Sequence, residues 1–280
     1  MSFWTGLSGT NFRIDWADIG GIRTRFLEAG SGPQTVVFLH GVGGHLETFV
    51  RNVAAHASQY RVLVPDLLGH GYTDKPDQNY ELPHYVDHLL GFLDARQAGR
   101  IYLAGTSLGG WISARIAAQH PERVAKLALV STAGLTASAS VMNNIRTLTT
   151  NATSGDRESV RKRLQWVIKH PDMVDEELIE ARWQIYRRPE YQAAMPRIMC
   201  LQDMETRQRN LLSEAELGLI RAKSLVVWTK DDPTGDIATG QRYAAAIPGA
   251  EFVVFEESAH MPQFEEPERF NRLMLRFWAD

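Results

Sequence analysis

The sequence contains a single cysteine, Cys200, in 280 residues. No disulfide can close within the chain, and nothing points to an oxidising compartment. A basic excess is missing too: 30 Lys and Arg stand against 33 Asp and Glu, a formal net charge of −3. That balance lacks the positive footprint on which nucleic-acid binding depends. No stretch approaches the ~18 consecutive apolar residues of a membrane span. The first residues, MSFWTGLSGT, carry neither the basic region nor the apolar core of a secretory signal. Internal repeats and low-complexity tracts are absent as well. What remains is a chain 44% hydrophobic and 22% charged, enough for one large domain with an insertion. The expected setting is the cytoplasm. The expected partner is a small-molecule substrate, with no nucleic acid and no membrane.

Two segments, Phe12–Ile19 and Ile22–Glu28, flank Gly20-Gly21, a dipeptide that supplies the positive φ angles of a tight hairpin. Short apolar runs follow: TVVFL (35–39), RVLVP (61–65), IYLAG (101–105), KLALVS (126–131), SLVVW (224–228) and FVVF (252–255). Runs of this kind suit strands buried on both faces. Amphipathic stretches such as Tyr85–Ala95 and Gly110–His120 lie between most of them, the second stopped by Pro121. Alternating strand and helix predicts an α/β protein, a mostly parallel sheet covered by helices and entered through a hairpin. The alternation fails after about residue 135. Helical patterns near 140–150, 157–169, 175–188, 190–202 and 204–217 take its place until SLVVW. A structureless loop of that length does not fit a compact domain, so the segment reads as an inserted helical cap.

Chemistry is suggested by LAGTSLGGW, where Ser107 stands between Gly105 and Gly109 in G-x-S-x-G spacing. A sharp strand-to-helix turn needs neighbours without a Cβ, yet short Gly/Ser patterns also recur by chance in a chain with 22 glycines. The surroundings decide. A serine hydroxyl needs a histidine to take its proton and usually a carboxylate to orient that histidine. TKDDPTGD, after SLVVW, carries Asp231 and Asp232; EESAHMPQFEEP, after FVVF, carries His260. The order Ser, Asp, His, each just past a strand end, is the α/β-hydrolase order. HGVGG (40–44), after TVVFL, offers a glycine loop in which the amide of either Val42 or Gly43 can join that of Leu108 as an oxyanion hole.

Through HGVGG, DLLGHGYTDKP (66–76), GTSLGG, TKDD and SAHMPQFEEP the chain resembles the α/β-hydrolases over nearly its full length. The resemblance implies an eight-stranded, mostly parallel sheet with helices on both faces. It divides the chain into a core of 1–135 and 214–280 and a helical cap of 136–213. It favours Asp232 as the triad acid, with Asp231 as the fallback. Serine at the elbow argues against haloalkane dehalogenases and epoxide hydrolases, which carry aspartate there.

Within the cap, ELIEARWQIYRRPE (177–190) puts Leu178, Arg182 and Ile185 on one helical face by i, i+4, i+7 spacing. A guanidinium among apolar residues can clamp a carboxylate, or can lie along the surface paired to an acid such as Glu176. The segment is similar to the cap of the meta-cleavage product hydrolases, which cut a carbon–carbon bond in 2-hydroxy-6-oxo-dienoates made by aromatic ring fission. That resemblance implies that Arg182, with Trp183, recognises the dienoate end, and that Asn52 of the Arg51-Asn52 pair faces the polar part of the pocket. Gly41, Thr106 and Met261 would adjoin the substrate. No metal or organic cofactor is implied, and a homodimer is common among similar enzymes. Three departures stand against the subfamily pattern: Thr106 in place of asparagine, Met261 in place of tryptophan, and HGVGGHLE in place of an S-G-P-G-A type of run. Competing readings are a carboxylesterase or lactonase, which needs no carboxylate-binding arginine, and a small-molecule receptor on the same fold.

Overall fold

Gly20 and Gly21 take φ of 61° and 87°, and between them fold β1 (Phe12–Ile19) back antiparallel onto β2 (Ile22–Ala29). This pair opens an eight-stranded sheet in a computed structural model that describes residues 2–280. The remaining strands are β3 (Thr35–Leu39), β4 (Arg61–Pro65), β5 (Ile101–Thr106), β6 (Val124–Val130), β7 (Lys223–Thr229) and β8 (Glu251–Phe255). Their spatial order is β1-β2-β4-β3-β5-β6-β7-β8; β2 runs antiparallel to β4, and every pair from β4 to β8 is parallel. This is the mostly parallel sheet, entered through a hairpin, that the alternating pattern predicts, with the eight strands that the resemblance implies.

The apolar runs work because successive side chains leave a strand on opposite faces. Val36, Phe38, Val62, Val64, Ala128, Val130, Leu225 and Val227 join one apolar cluster with Val50 and Val53 of α1 (Val50–Ala57). Val37, Leu39, Leu63, Leu127, Leu129 and Val226 join the other, with Leu89 of α2 (Leu82–Ala95) and Ile112 of α3 (Leu108–Gln119). Both faces are thus covered at the centre of the sheet, so its strands are apolar over most of their length, whereas the edge strand β1 is largely exposed.

Between β6 and β7 no strand occurs among the described residues. Six α-helices lie in the interval among the described residues: α4 (Ala139–Ser154), α5 (Arg157–Gln165), α6 (Glu176–Tyr186), α7 (Pro189–Ile198) and α8 (Met204–Asn210) come first, and a short sixth lies just before β7. Three are started by aspartate N-caps: Asp156, Asp175 and Asp203 accept from Ser159 N, Leu178 N and Thr206 N at 3.0, 2.8 and 3.0 Å. The helix expected over 204–217 is two helices. Leu212 N donates to Gly134 O at 2.8 Å, tying the chain down where it returns to the sheet, and Ser213 caps α9 (Glu214–Leu217). The core is completed by α10 (Ile237–Ala246), α11 (Pro262–Glu265) and α12 (Pro267–Ala279), whose Phe270, Met274, Phe277 and Trp278 face the α1 side of the sheet. Among the described residues no helix is long and apolar enough to cross a membrane.

Burial of His56, His70 and His88 makes stability depend on pH. Each is pushed down to about 4, chiefly by burial. Between the ordinary value of 6.5 and about 4, the unfolded chain binds protons that the folded chain refuses. Stability conferred by the neutral rings is therefore complete above pH 6.5 and is lost as pH falls toward 4. Each tenfold weakening of proton affinity on folding is worth about 1.4 kcal/mol, so urea midpoints are expected to fall steeply across this window. His56→Leu should flatten the slope. An unchanged slope in that variant counts against the assignment.

Candidate active site

The elbow after β5 is shaped by steric exclusion. Ser107 joins β5 to α3 with φ 56° and ψ −114°, a conformation costly for any residue with a Cβ. A Cβ on Gly105 would lie 2.2 Å from Gly109 O, and one on Gly109 would lie 2.3 Å from Leu39 O. Glycine is therefore required at both flanking positions, one for the turn itself and one for its packing on β3. The Ser107 amide donates to Val130 O at 3.0 Å, and its carbonyl accepts from Trp111 N at 3.0 Å and Ala133 N at 3.2 Å. These bonds hold the strained residue so that its hydroxyl faces a cavity.

His260, after β8, lines the same cavity. Its Nδ1 lies 2.9 and 3.0 Å from the two carboxylate oxygens of Asp232, which also accepts from Thr234 N and Thr234 Oγ1, both at 2.8 Å. A carboxylate only accepts, so Nδ1 carries the proton and Nε2 presents a lone pair to the cavity. Asp231 is turned away: it pairs at the surface with Lys169 at 3.0 Å. The histidine loop is braced by Glu265, which accepts from the amides of Ala259, Met261 and Lys169, and by a bond of 3.0 Å from His260 N to Val167 O. Neither Ser107 Oγ nor His260 Nε2 has a hydrogen-bond partner among the described residues.

HGVGG wraps the elbow from the β3 side. Leu67 N donates to His40 Nε2 at 3.1 Å, which leaves Nδ1 to donate to Gly41 O at 2.8 Å. Burial holds this ring well below its usual pKa, so it stays neutral and structural. A Cβ on Gly41 would come within 3.1 Å of Ser107 Cβ. The amides of Val42 and of Leu108, the first residue of α3, have no acceptor among the described residues. Val42 lines the cavity; Gly43 does not, and its carbonyl accepts from Tyr186 Oη at 2.7 Å. The amides of Val42 and Gly43 both stay without an acceptor among the described residues, with Val42 the one whose residue lines the cavity, and α6 is latched to the loop.

Gly41, Thr106 and Met261 line the cavity, as does Arg182 of α6. Arg182 is 4% exposed, makes no ion pair or hydrogen bond among the described residues, and has an orphaned Nε. The alternative partner Glu176 is taken by Arg161. Two expectations are corrected. Trp183 lines no part of the cavity: neighbours on a helix diverge by about 100°, and its ring meets the guanidinium carbons of Arg157 and Arg187, each 4.7 Å from the ring centre. Asn52 is fully buried, its amide donating to Gln263 O at 3.0 Å and Asn271 Oδ1 at 2.9 Å, so it fastens α1 to the α11 segment.

Sequence reasoning misses four polar cavity residues: Thr48, Arg163, Thr234 and Gln263. Arg163 of α5 donates Nε to Thr149 Oγ1 at 3.0 Å, leaves Nη1 orphaned, and is pushed by burial, with help from the Arg182 charge, down to about 10. It remains cationic at neutral pH. Its helix, RESVRKRLQ, reads as a solvated charge run, yet Val160, Arg163 and Leu164 form one buried face by i, i+3, i+4 spacing, the one available signal. No carboxylate pairs with Arg163 or Arg182 among the described residues, so the cavity beside Ser107 is lined by two guanidiniums without a counter-charge.

Residues 34–267 match the α/β hydrolase fold family. The chain belongs to it. Among curated relatives of this α/β hydrolase, the 2-hydroxy-6-oxo-6-phenylhexa-2,4-dienoate hydrolase of Burkholderia cepacia is 30% identical over 277 residues, covering 95% of each chain. The dihydrolipoyllysine-residue acetyltransferase component of the acetoin cleaving system of Pseudomonas putida is also 30% identical, over 93% of this chain and 68% of its own. A solved meta-cleavage product hydrolase from Pseudomonas fluorescens IP01, a serine-to-alanine mutant complexed with acetates, superposes with a TM-score of 0.82 at 25% identity, over 95% of this α/β hydrolase and 97% of that chain.

Proposed function

We propose that this α/β hydrolase cleaves a carbon–carbon bond of a 2-hydroxy-6-oxo-hexa-2,4-dienoate by a Ser107–His260–Asp232 triad. The observation that carries the reading is the pair of buried guanidiniums, Arg182 and Arg163, facing the serine's cavity with no counter-charge among the described residues. A buried cation is costly unless an anion joins it, and a dienoate supplies a carboxylate beside an enol oxygen. The relatives named above for such dienoates support the same choice.

The course begins with ketonisation: the 2-hydroxyl proton moves by way of His260 to C5, leaving carbonyls at C2 and C6. Ser107 Oγ then adds to C6 as His260 Nε2 takes its proton, or Ser107 orients a water that adds instead. The amides of Val42 and Leu108 receive the oxyanion. When C5–C6 breaks, its electron pair passes through the C3–C4 double bond to the C2 oxygen, which takes the proton back from His260. This releases 2-hydroxypenta-2,4-dienoate. Water, deprotonated by His260, hydrolyses the acyl-serine and frees the second acid. Arg182 and Arg163 stabilise the charge that grows on the C1–C2 end.

An esterase would need the triad and no buried cation. Arg182→Met is therefore expected to lower the ratio of kcat/KM for a dienoate to that for a nitrophenyl ester by about 100-fold, the scale of a lost buried charge partner. Equal losses on both substrates would sink the carbon–carbon reading in favour of the ester one.

A further inference from the structure

Ser107 divides the buried space. The cavity assigned above to the dienoate lies on one side; a second, sharing Val42, Ser107, Ile145 and Thr234 with it, is walled by α3, the α7–α8 segment and the loops after β6 and β7. In the proposed reaction this second space receives the substituent on C6, the part that leaves as a free acid. An alkyl or aryl substituent would ask only for apolar walls.

The walls are not only apolar. Trp111, Thr132, Gln202 and Arg207 all line the space and are each at least nine-tenths buried. Trp111 Nε1, Thr132 Oγ1 and Gln202 Oε1 have no hydrogen-bond partner among the described residues. Arg207 donates Nε to Thr136 O at 2.9 Å and Nη1 to Leu201 O at 3.2 Å, both neutral carbonyls, and its guanidinium carbon lies 5.0 Å from the Trp111 ring centre. No carboxylate among the described residues pairs with it, and two of a guanidinium's five donors are thereby used. Buried donors without acceptors are rare because each forfeits its hydrogen bonds to water. Two orphaned donors, the Trp111 indole N–H and the Thr132 hydroxyl, beside a guanidinium with no carboxylate partner among the described residues point to an oxygen-rich, anionic occupant.

We propose that this second cavity binds a carboxylate at the far end of the C6 substituent, with Arg207 as its cation and the Trp111 indole N–H and Thr132 hydroxyl as further donors. The substrate is then an acid at both ends, and hydrolysis yields a dicarboxylic acid beside the hydroxydienoate. Turning the Gln202 amide about its last torsion brings its NH₂ group to the same carboxylate. The inference rests on the carbon–carbon reading and names its substrate class.

The test compares two dienoates of equal shape, one with a 3-carboxypropanoyl acyl end and one with a 4-methylpentanoyl end. The wild type is expected to favour the first by about 100-fold in kcat/KM, as a site built for hydrogen bonds rejects an analogue that lacks them. Arg207→Met should bring that ratio to about one or below, Arg207→Lys should restore part of it, and Trp111→Phe should lower it about 5-fold. A wild-type preference for 4-methylpentanoyl, or a ratio unmoved by Arg207→Lys and Trp111→Phe, overturns the proposal. If neither dienoate is turned over, the carbon–carbon reading fails separately, and calorimetry with the two free acids decides the subsite. Succinate binding tighter than 4-methylpentanoate, and weakened by Trp111→Phe or Arg207→Lys, supports it; equal binding overturns it.

Discussion

Ser107→Ala is expected to lower kcat for dienoate cleavage by about 10⁴-fold or more while leaving the fold intact, the scale on which removal of a triad nucleophile acts. The fold survives because the hydroxyl makes no hydrogen bond among the described residues and faces a cavity. Alanine also carries the same Cβ into the φ of 56°, so backbone strain is unchanged and cannot account for lost activity. The residual rate reports what the amides of Val42 and Leu108 and the two guanidiniums contribute without a nucleophile. Stopped-flow absorbance of the dienoate gives the rates, and mass spectrometry of quenched wild-type enzyme distinguishes an acyl-serine from direct attack by water. A loss below about 10-fold would remove Ser107 from the chemistry altogether.

The parts of the site legible in the sequence are those fixed by local sterics. Gly105 and Gly109 are dictated by atoms 2.2 and 2.3 Å from their missing Cβ positions, so the G-x-S-x-G pattern carries its geometry with it. The strands are legible for a related reason: the centre of a sheet covered on both faces takes apolar side chains at most positions, and runs such as TVVFL, RVLVP and SLVVW record this directly. Spacing alone leaves Asp231 and Asp232 open because both follow β7. What separates them is Lys169, a residue of the helical insertion that draws Asp231 to the surface.

The illegible parts depend on how that insertion docks. Arg163 and Arg207 sit in charged helices, RESVRKRLQ and METRQRN, whose composition is that of solvated surface. Their burial follows from packing over the elbow, a contact between segments far apart in sequence. Trp183 shows the same limit from the other side. It adjoins Arg182 in the chain, but the helical rotation sends the two side chains apart. Asn52 reads as a pocket amide because its helix follows the oxyanion loop, whereas its partners, Gln263 and Asn271, lie 211 and 219 residues further along the chain.

A larger effect on stability is expected at Arg25, which anchors the oxyanion loop from β2. Its guanidinium meets Glu47 at 2.5 Å and Asp66 at 3.3 Å, and all three side chains are buried. Asp66 accepts from Leu46 N at 2.7 Å and Tyr72 N at 2.9 Å, while His45 Nδ1 lies 2.6 Å from Glu47. One cation thus fastens the segment after HGVGG to the turn after β4. Arg25→Met leaves two carboxylates buried against each other, and removal of one partner from such a group costs about 3–5 kcal/mol. Burial alone would raise the Glu47 pKa, but His45 and Arg25 outweigh it and hold the carboxyl well below its usual range. The stability Glu47 contributes is therefore present above pH 4.5 and is lost as pH falls. Without Arg25 both carboxyls titrate higher, and acid relieves the variant by neutralising them. The gap in urea stability between wild type and Arg25→Met is accordingly expected to be widest near neutral pH and to narrow toward pH ~4, the buried histidines being common to both proteins. A gap under about 1 kcal/mol at neutral pH, or one that widens in acid, would show that the loop is held by its glycines and by His40 instead.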